Sequence, residues 1–244
     1  MTSDPPDKRP PVVVVTGPTA SGKTPFAIEV AQAFDGEIVN ADSMQVYRGM
    51  DIGTAKATRE QQAEVPHHLI DIVAPDVPYN AARYLEDART AAARIHGRDR
   101  LVVLTGGTGL YIRVFLEGVL GGAAPDPELR EALEREHAQA LEAGDPERLH
   151  RRLAEVDAEA AERIHPNDLR RTIRALEIAQ QGGPASDRRR AHGFGDRPYR
   201  SLHLALDPGR EILNERIDRR CSEMIDAGLL QEVRDLREQG YGPE

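Results

Sequence analysis

Two hydrophobic periods alternate along the first half of the chain. Val12-Val13-Val14-Val15 is a short, unbroken apolar run between Pro11 and Gly17, the pattern of a strand buried on both faces. Phe26, Ala27, Val30, Ala31 and Phe34 then recur at helical spacing, predicting a helix from Lys23 to Phe34. A strand follows at Glu37–Asn40, and the stretch from Ala41 to Lys56 shows neither period and reads as a long loop. His67 to Val73 holds a further apolar segment. Asn80 is placed to cap a helix running to His96. Leu101–Thr105 is a second buried strand, and Gly106-Gly107-Thr108-Gly109 leads from it into a helix over 110–118. Strands alternating with helices predict an α/β fold with a parallel sheet and a ligand site at the carboxyl ends of its strands.

The pattern changes after Gly121. Charged helical stretches follow at Glu128–Glu142, Pro146–Val156, Ala158–Ile164 and Asp168–Gln181, and Gly182-Gly183-Pro184 closes them. No strand pattern interrupts them, so 121–195 reads as an all-helical insertion. The β pattern returns at Leu202-His203-Leu204-Ala205-Leu206, followed by a helix from Asp207-Pro208 through Met224 and another at Leu229–Gln239. The expected organisation is therefore a flexible, Pro-rich tail over 1–11, a core over 12–120 and 196–244, and the helical insertion between the two halves of the core.

Composition narrows the function classes. At 244 residues, with 39% hydrophobic and 30% charged, the chain has an ordinary globular make-up. No stretch is long and apolar enough for a membrane span, and the tail lacks the apolar centre of a signal peptide. A single cysteine, Cys221, rules out an internal disulfide and suits a reducing cytoplasm. The net charge of −9 argues against a surface that is basic throughout. Between Arg163 and Arg200, however, nine arginines face four acids, a local excess of +5. Such a run is either a solvated helix face or a grip on phosphates. Lysine is scarce: against 29 arginines stand only Lys8, Lys23 and Lys56, so the two internal lysines suggest places that need a compact ammonium.

Gly17-Pro18-Thr19-Ala20-Ser21-Gly22-Lys23-Thr24 follows directly on the first strand and opens the first helix. This is a phosphate-binding P-loop in its proper context, so the sheet is expected to be P-loop NTPase-like and flanked by helices. Its backbone N–H groups and the helix N-terminus converge on an anion, Lys23 reaches the outer phosphate oxygens, and the Thr24 hydroxyl is placed to ligate Mg²⁺. Asp42, just past the second strand, lies at the same sheet edge. A carboxylate there can serve as a metal ligand, a general base or a loop cap. The strand Leu101–Thr105 does not end in the aspartate that helps hold Mg²⁺ in P-loop NTPases. That weakens an ATP-hydrolysing reading and favours a P-loop that only holds a phosphorylated group.

The P-loop occurs in order with Asp42-Ser43-Met44-Gln45-Val46-Tyr47, Gly49-Met50-Asp51-Ile52-Gly53-Thr54-Ala55-Lys56, Gly106-Gly107-Thr108-Gly109-Leu110-Tyr111, Ile164-His165-Pro166-Asn167-Asp168, Arg174-Ala175-Leu176-Glu177, and Arg216-Ile217 with Arg220. Together these resemble the tRNA dimethylallyltransferase (tRNA isopentenyltransferase) family, from Val12 to Glu244. The resemblance implies transfer of a dimethylallyl group from dimethylallyl diphosphate to N6 of adenosine 37, next to the tRNA anticodon, with Mg²⁺ as cofactor. It matches Asp42 to the general base and Arg220 to a diphosphate-binding catalytic arginine. Gly17, Pro18, Thr19, Ala20, Ser21, Gly22, Lys23 and Thr24 fall to diphosphate or nucleotide binding. Asp42, Ser43, Met44, Gln45, Thr108, Arg170, Arg171 and Arg174 fall to contact with tRNA, the last three on the insertion that grips the anticodon stem. The resemblance also implies a cytoplasmic enzyme, expected to act as a monomer away from membranes, and further helices beyond Glu244 that this sequence does not contain. The competing reading is a P-loop kinase for a nucleoside or small metabolite. The missing strand-end aspartate and the Asp42-Ser43-Met44-Gln45 segment argue against it.

Overall fold

The structure, a computed structural model, describes residues 7–118, 126–192 and 197–242. The start of the tail, both expected insertion boundaries, Asp196 and the side chains of Arg188 and Arg189 lie outside the described residues. The elements run β1 (Pro11–Thr16), α1 (Lys23–Ala33), β2 (Gly36–Asn40), α2 (Arg59–Glu64), β3 (His67–His68), α3 (Ala81–His96), β4 (Leu101–Thr105) and α4 (Gly109–Glu117). Then come α5 (Pro127–Glu142), α6 (Arg148–Val156), α7 (Ala158–Arg163), α8 (Leu169–Gly182), α9 (Ala185–His192), β5 (Arg200–Ala205), α10 (Arg210–Asp226) and α11 (Leu229–Glu238). The chain divides into two compact units, one holding 1–118 with 196–244 and the other 119–195.

In the first unit every strand pairing is parallel, in the order β3-β2-β4-β1-β5. This is the parallel, helix-flanked α/β sheet that the sequence predicts. Parallel pairing demands covered faces, and the residue choice supplies them. Val15, Ile38 and Val103 pack on Ala27, Ile28, Val30 and Ala31 of α1. The alternate set Val12, Val14, Val39, Val102 and Leu104 turns to the other face and is equally buried. There α3, capped by the Asn80 side chain on the N–H groups of Ala82 and Arg83, meets β2 and β4 through Tyr84, Ala88, Ala91, Ala92 and Ile95. Because all strands run the same way, the loops after β1, β2, β4 and β5 gather at one edge. The edge strand β5 and the helices α10 and α11 hold no fully buried residue.

In the first unit, two elements depart from the sequence pattern. The apolar segment 67–73 gives a strand of only two residues, because Leu69 and Asp71 take positive φ values of 63° and 56° that break the pleat. The six-residue α2 had no periodic signal, since none of its residues is buried; a capping box between Thr58 and Gln61 starts it instead.

The described part of the second unit is five helices around Leu133, Leu149, Leu153, Ala160, Ala161, Ile173, Ala175 and Leu176. Buried Asp157 caps α7 at Ala160 N and accepts from Ser186 N at 2.8 Å, tying α7 to α9. Leu153 is wholly buried in this cluster. Leu153→Ala is expected to cost about 2–5 kcal/mol of this unit's stability. A lower urea midpoint for its unfolding checks this.

Candidate active site

The P-loop takes its shape from the requirement that β1 turn sharply into α1. At Gly17 an added Cβ would lie 2.6 Å from both the Leu206 carbonyl oxygen and Ser21 Oγ, so only glycine fits. Ala20 and Gly22 follow with φ of 64° and 91°, and α1 starts at Lys23. Lys23 Nζ folds back onto the carbonyl oxygens of Gly17 and Pro18, at 2.9 and 2.7 Å. Burial pushes the Lys23 pKa below the ordinary lysine value; the charge of Asp42 opposes that shift and Arg220 adds to it. Lys23, Asp42 and Arg220 line the same cavity.

Asp42 is held against the end of β4. Ala41 N donates to Thr105 O at 2.7 Å, and Thr108 N returns a bond to Ala41 O at 3.0 Å. Asp42 N donates to Asn40 Oδ1, and Asp42 Oδ1 accepts from Met44 N at 2.9 Å. One carboxylate oxygen is thus a loop cap, while Oδ2 has no hydrogen-bond donor among the described residues. Gly106 makes this approach possible, since a Cβ there would fall 2.2 Å from the Ala41 carbonyl carbon. Gly106→Ala is therefore expected to push the Asp42 loop away from β4. Because a misplacement of about 1 Å costs roughly 100-fold, turnover should drop by about that factor. A thermal melt alongside the rate assay separates this from unfolding.

A cavity of about 1180 Å³ opens at this edge. Thr19 through Thr24 form one wall, Asp42, Gln45 and the 51–59 segment another, and Arg216, Arg219 and Arg220 of α10 a third. The sequence reading quoted Arg216 only as part of a motif and did not single out Arg219. Their spacing with Arg220 places all three on one helix face, a signal that was available. Arg216 also donates to the Ala20 carbonyl oxygen at 3.4 Å. Where P-loop NTPases carry an aspartate, the Thr105 hydroxyl donates to Val15 O at 3.2 Å, a purely structural bond. Ser43 and Thr108 are joined by two hydrogen bonds, from Ser43 N to Thr108 Oγ1 at 2.9 Å and from Thr108 Oγ1 to Ser43 Oγ at 3.2 Å. Exposed Met44 lies at the loop's outer side. Lys56 sits in the kind of place its rarity suggests. Its buried ammonium bonds Asp51 at 2.6 Å, Asp71 at 2.5 Å and Tyr47 O at 2.8 Å.

In the helical unit, Arg170 and Arg171 are exposed, and Arg171 lies 3.4 Å from Asp168. Arg174 shares their face and bonds Glu177, a wholly buried carboxylate that also takes a two-pronged bond from Arg130. The +5 excess in the sequence is smaller in the fold. Arg163 and Arg190 both pair with Glu159, which lies just outside the window counted, and Arg190 also meets Asp187.

Comparison with known proteins adds three kinds of finding. A family model described as IPP transferase matches residues 45–244, and one described as isopentenyl transferase matches 10–73. The chain is 50% identical over 235 residues to a tRNA dimethylallyltransferase of Syntrophobacter fumaroxidans, covering 96% of this chain and 68% of that protein. It is 52% identical over 225 residues to one of Anaeromyxobacter dehalogenans, covering 92% and 74%. Among solved structures, a tRNA delta(2)-isopentenylpyrophosphate transferase of Staphylococcus epidermidis matches with a TM-score of 0.62 at 39% identity, covering 95% of this chain and 75% of that one. A eukaryotic dimethylallyltransferase acting on tRNA matches with a TM-score of 0.74 at 31% identity, covering 94% and 56%.

Proposed function

This chain belongs to the IPP transferase family, and we propose that it transfers a dimethylallyl group from dimethylallyl diphosphate to N6 of adenosine 37, next to a tRNA anticodon. One observation carries the reading: Lys23, Asp42 and Arg220 face a single cavity, and the strand beside the P-loop has no acid for nucleotide hydrolysis. The N6 lone pair attacks the allylic carbon bearing the diphosphate, the carbon–oxygen bond breaks, and the bonding pair leaves with the diphosphate. An exocyclic amine is a weak nucleophile, and its attack makes the N–H more acidic. Asp42 Oδ2, which takes no hydrogen bond from the described residues, accepts that proton. The leaving group's growing charge is stabilised by the P-loop N–H groups, Lys23 and the arginine face of α10.

Mg²⁺ suits the oxygen donors present. Mg²⁺ is commonly held by one or two protein oxygens together with waters and substrate phosphates. Thr24 would supply its hydroxyl, and Ser21 Oγ in the same loop is buried with no hydrogen-bond partner among the described residues. When bound, the ion neutralises diphosphate charge.

The adenosine must leave its stack to reach the cavity, as base-modifying enzymes require. Asp42, Ser43, Met44, Gln45 and Thr108 would receive it. Arg170, Arg171 and Arg174 would hold anticodon-stem phosphates, and the exposure of the first two supports that role. No described helix is long and apolar enough to cross a membrane. The proposed enzyme acts on tRNA in the cytoplasm as a monomer. The test is incubation with Mg²⁺, labelled dimethylallyl diphosphate and an anticodon stem-loop with an adenosine at position 37. Label should enter that adenosine. Phosphate transfer from ATP to a nucleoside, with unmodified RNA, would point to the kinase instead.

A further inference from the structure

The helices α10 and α11 form a hairpin turning at Ala227-Gly228; α10 carries three of the cavity's arginines, and neither helix buries any residue fully. A pair so thinly packed needs specific bonds to keep its place. On one side Arg216 reaches the P-loop at Ala20 O. On the other, Glu232 of α11 projects into the loop that forms the facing wall. Its Oε2 accepts from Asp51 N at 2.8 Å and Ile52 N at 2.7 Å, and its Oε1 accepts from Gly53 N at 3.0 Å. Three successive backbone N–H groups converging on one carboxylate make an anion nest, here filled from within the protein. Leu229 and Leu236 flank it, packing over Gly53 and Gly49. From inside, the Lys56 ammonium holds the Asp51 side chain, so the loop is fixed on both faces.

We propose that Glu232 is a positioning residue: by filling the nest at 51–53 it holds the arginine-bearing hairpin against the cavity loop and so sets the geometry of the diphosphate end of the site. The carboxylate touches no substrate and acts through α10. The inference rests on the reading of the cavity as a diphosphate site. The chemistry of the nest ranks the variants. Glu232→Gln keeps one acceptor oxygen but turns an NH₂ toward a backbone donor, so part of the hold survives. Glu232→Ala removes it all.

The experiment compares wild type, Glu232→Gln and Glu232→Ala by residue-resolved amide hydrogen exchange and by calorimetric binding of inorganic pyrophosphate with Mg²⁺. Binding of the anticodon stem-loop serves as the control. Exchange at 51–53 and at 216–220 should quicken in the order wild type, Gln, Ala. Pyrophosphate affinity should fall about tenfold in Ala, within the usual range for coupled sites, and by less, about threefold, in Gln. Stem-loop affinity should stay unchanged, whereas general loosening of the fold would lower both. The proposal is overturned if 216–220 exchanges as in wild type, or if pyrophosphate affinity is unchanged once the 51–53 amides are released. Should wild type itself bind no pyrophosphate, the diphosphate reading fails, and the exchange at 216–220 still decides whether Glu232 holds the hairpin.

Discussion

Asp42→Asn is expected to lower single-turnover prenyl transfer by about 100- to 10,000-fold, the usual contribution of a positioned general base. The substitution is clean because the two carboxylate oxygens do different work. Oδ1 accepts from Met44 N, and an asparagine carbonyl oxygen can keep that bond and with it the loop. Only the charge and basicity of Oδ2 are lost. Melting temperature, stem-loop affinity and pyrophosphate affinity should therefore stay near wild type while the chemical step collapses. Calorimetry and rapid-quench kinetics on the same preparations make the comparison. A parallel fall in pyrophosphate binding would instead assign Asp42 to the metal or the leaving group.

Lys23→Met should give the opposite signature. Methionine keeps much of the apolar stem and removes the ammonium, whose site is already partly desolvated. The charge next to the leaving group disappears, and kcat/KM for dimethylallyl diphosphate should fall by about 100- to 1,000-fold, the typical cost of losing one transition-state donor. Pyrophosphate affinity should drop as well, with stem-loop binding retained. Retained affinity for pyrophosphate in Lys23→Met would remove the lysine from the diphosphate site. The two variants separate proton removal from leaving-group stabilisation.

Much of this was legible in the sequence because its causes are local. The valine run, the glycines and Lys23-Thr24 lie within one βα unit, and Asn80 caps the helix it immediately precedes. The strand-end Thr105 could be read as a missing acid in the same way. What stayed hidden depends on distant partners or on elements too short for a period. Glu232 lies some 180 positions from the N–H groups it binds, and a glutamate in a helix's first turn looks like any other. The partners of Lys56 come from two loop segments that only the fold brings together. The helix α9 was missed because its sequence is mostly polar, with two glycines and a proline just before it. A count along the chain also cannot see that Glu159, outside its window, pairs with two of the arginines. Arg174 looked like a free phosphate contact, and in the fold it is also a partner of buried Glu177.

The central claim is that this P-loop holds a leaving group and does not activate a phosphoryl donor. A donor labelled in both parts tests it most directly, with one isotope in the dimethylallyl carbons and another in the diphosphate phosphorus. With Mg²⁺ and the anticodon stem-loop, the carbon label should enter N6 of adenosine 37, and the phosphorus label should leave, in equal amount, as intact pyrophosphate. Phosphorus label in the RNA or in orthophosphate, or RNA without carbon label, would contradict the account.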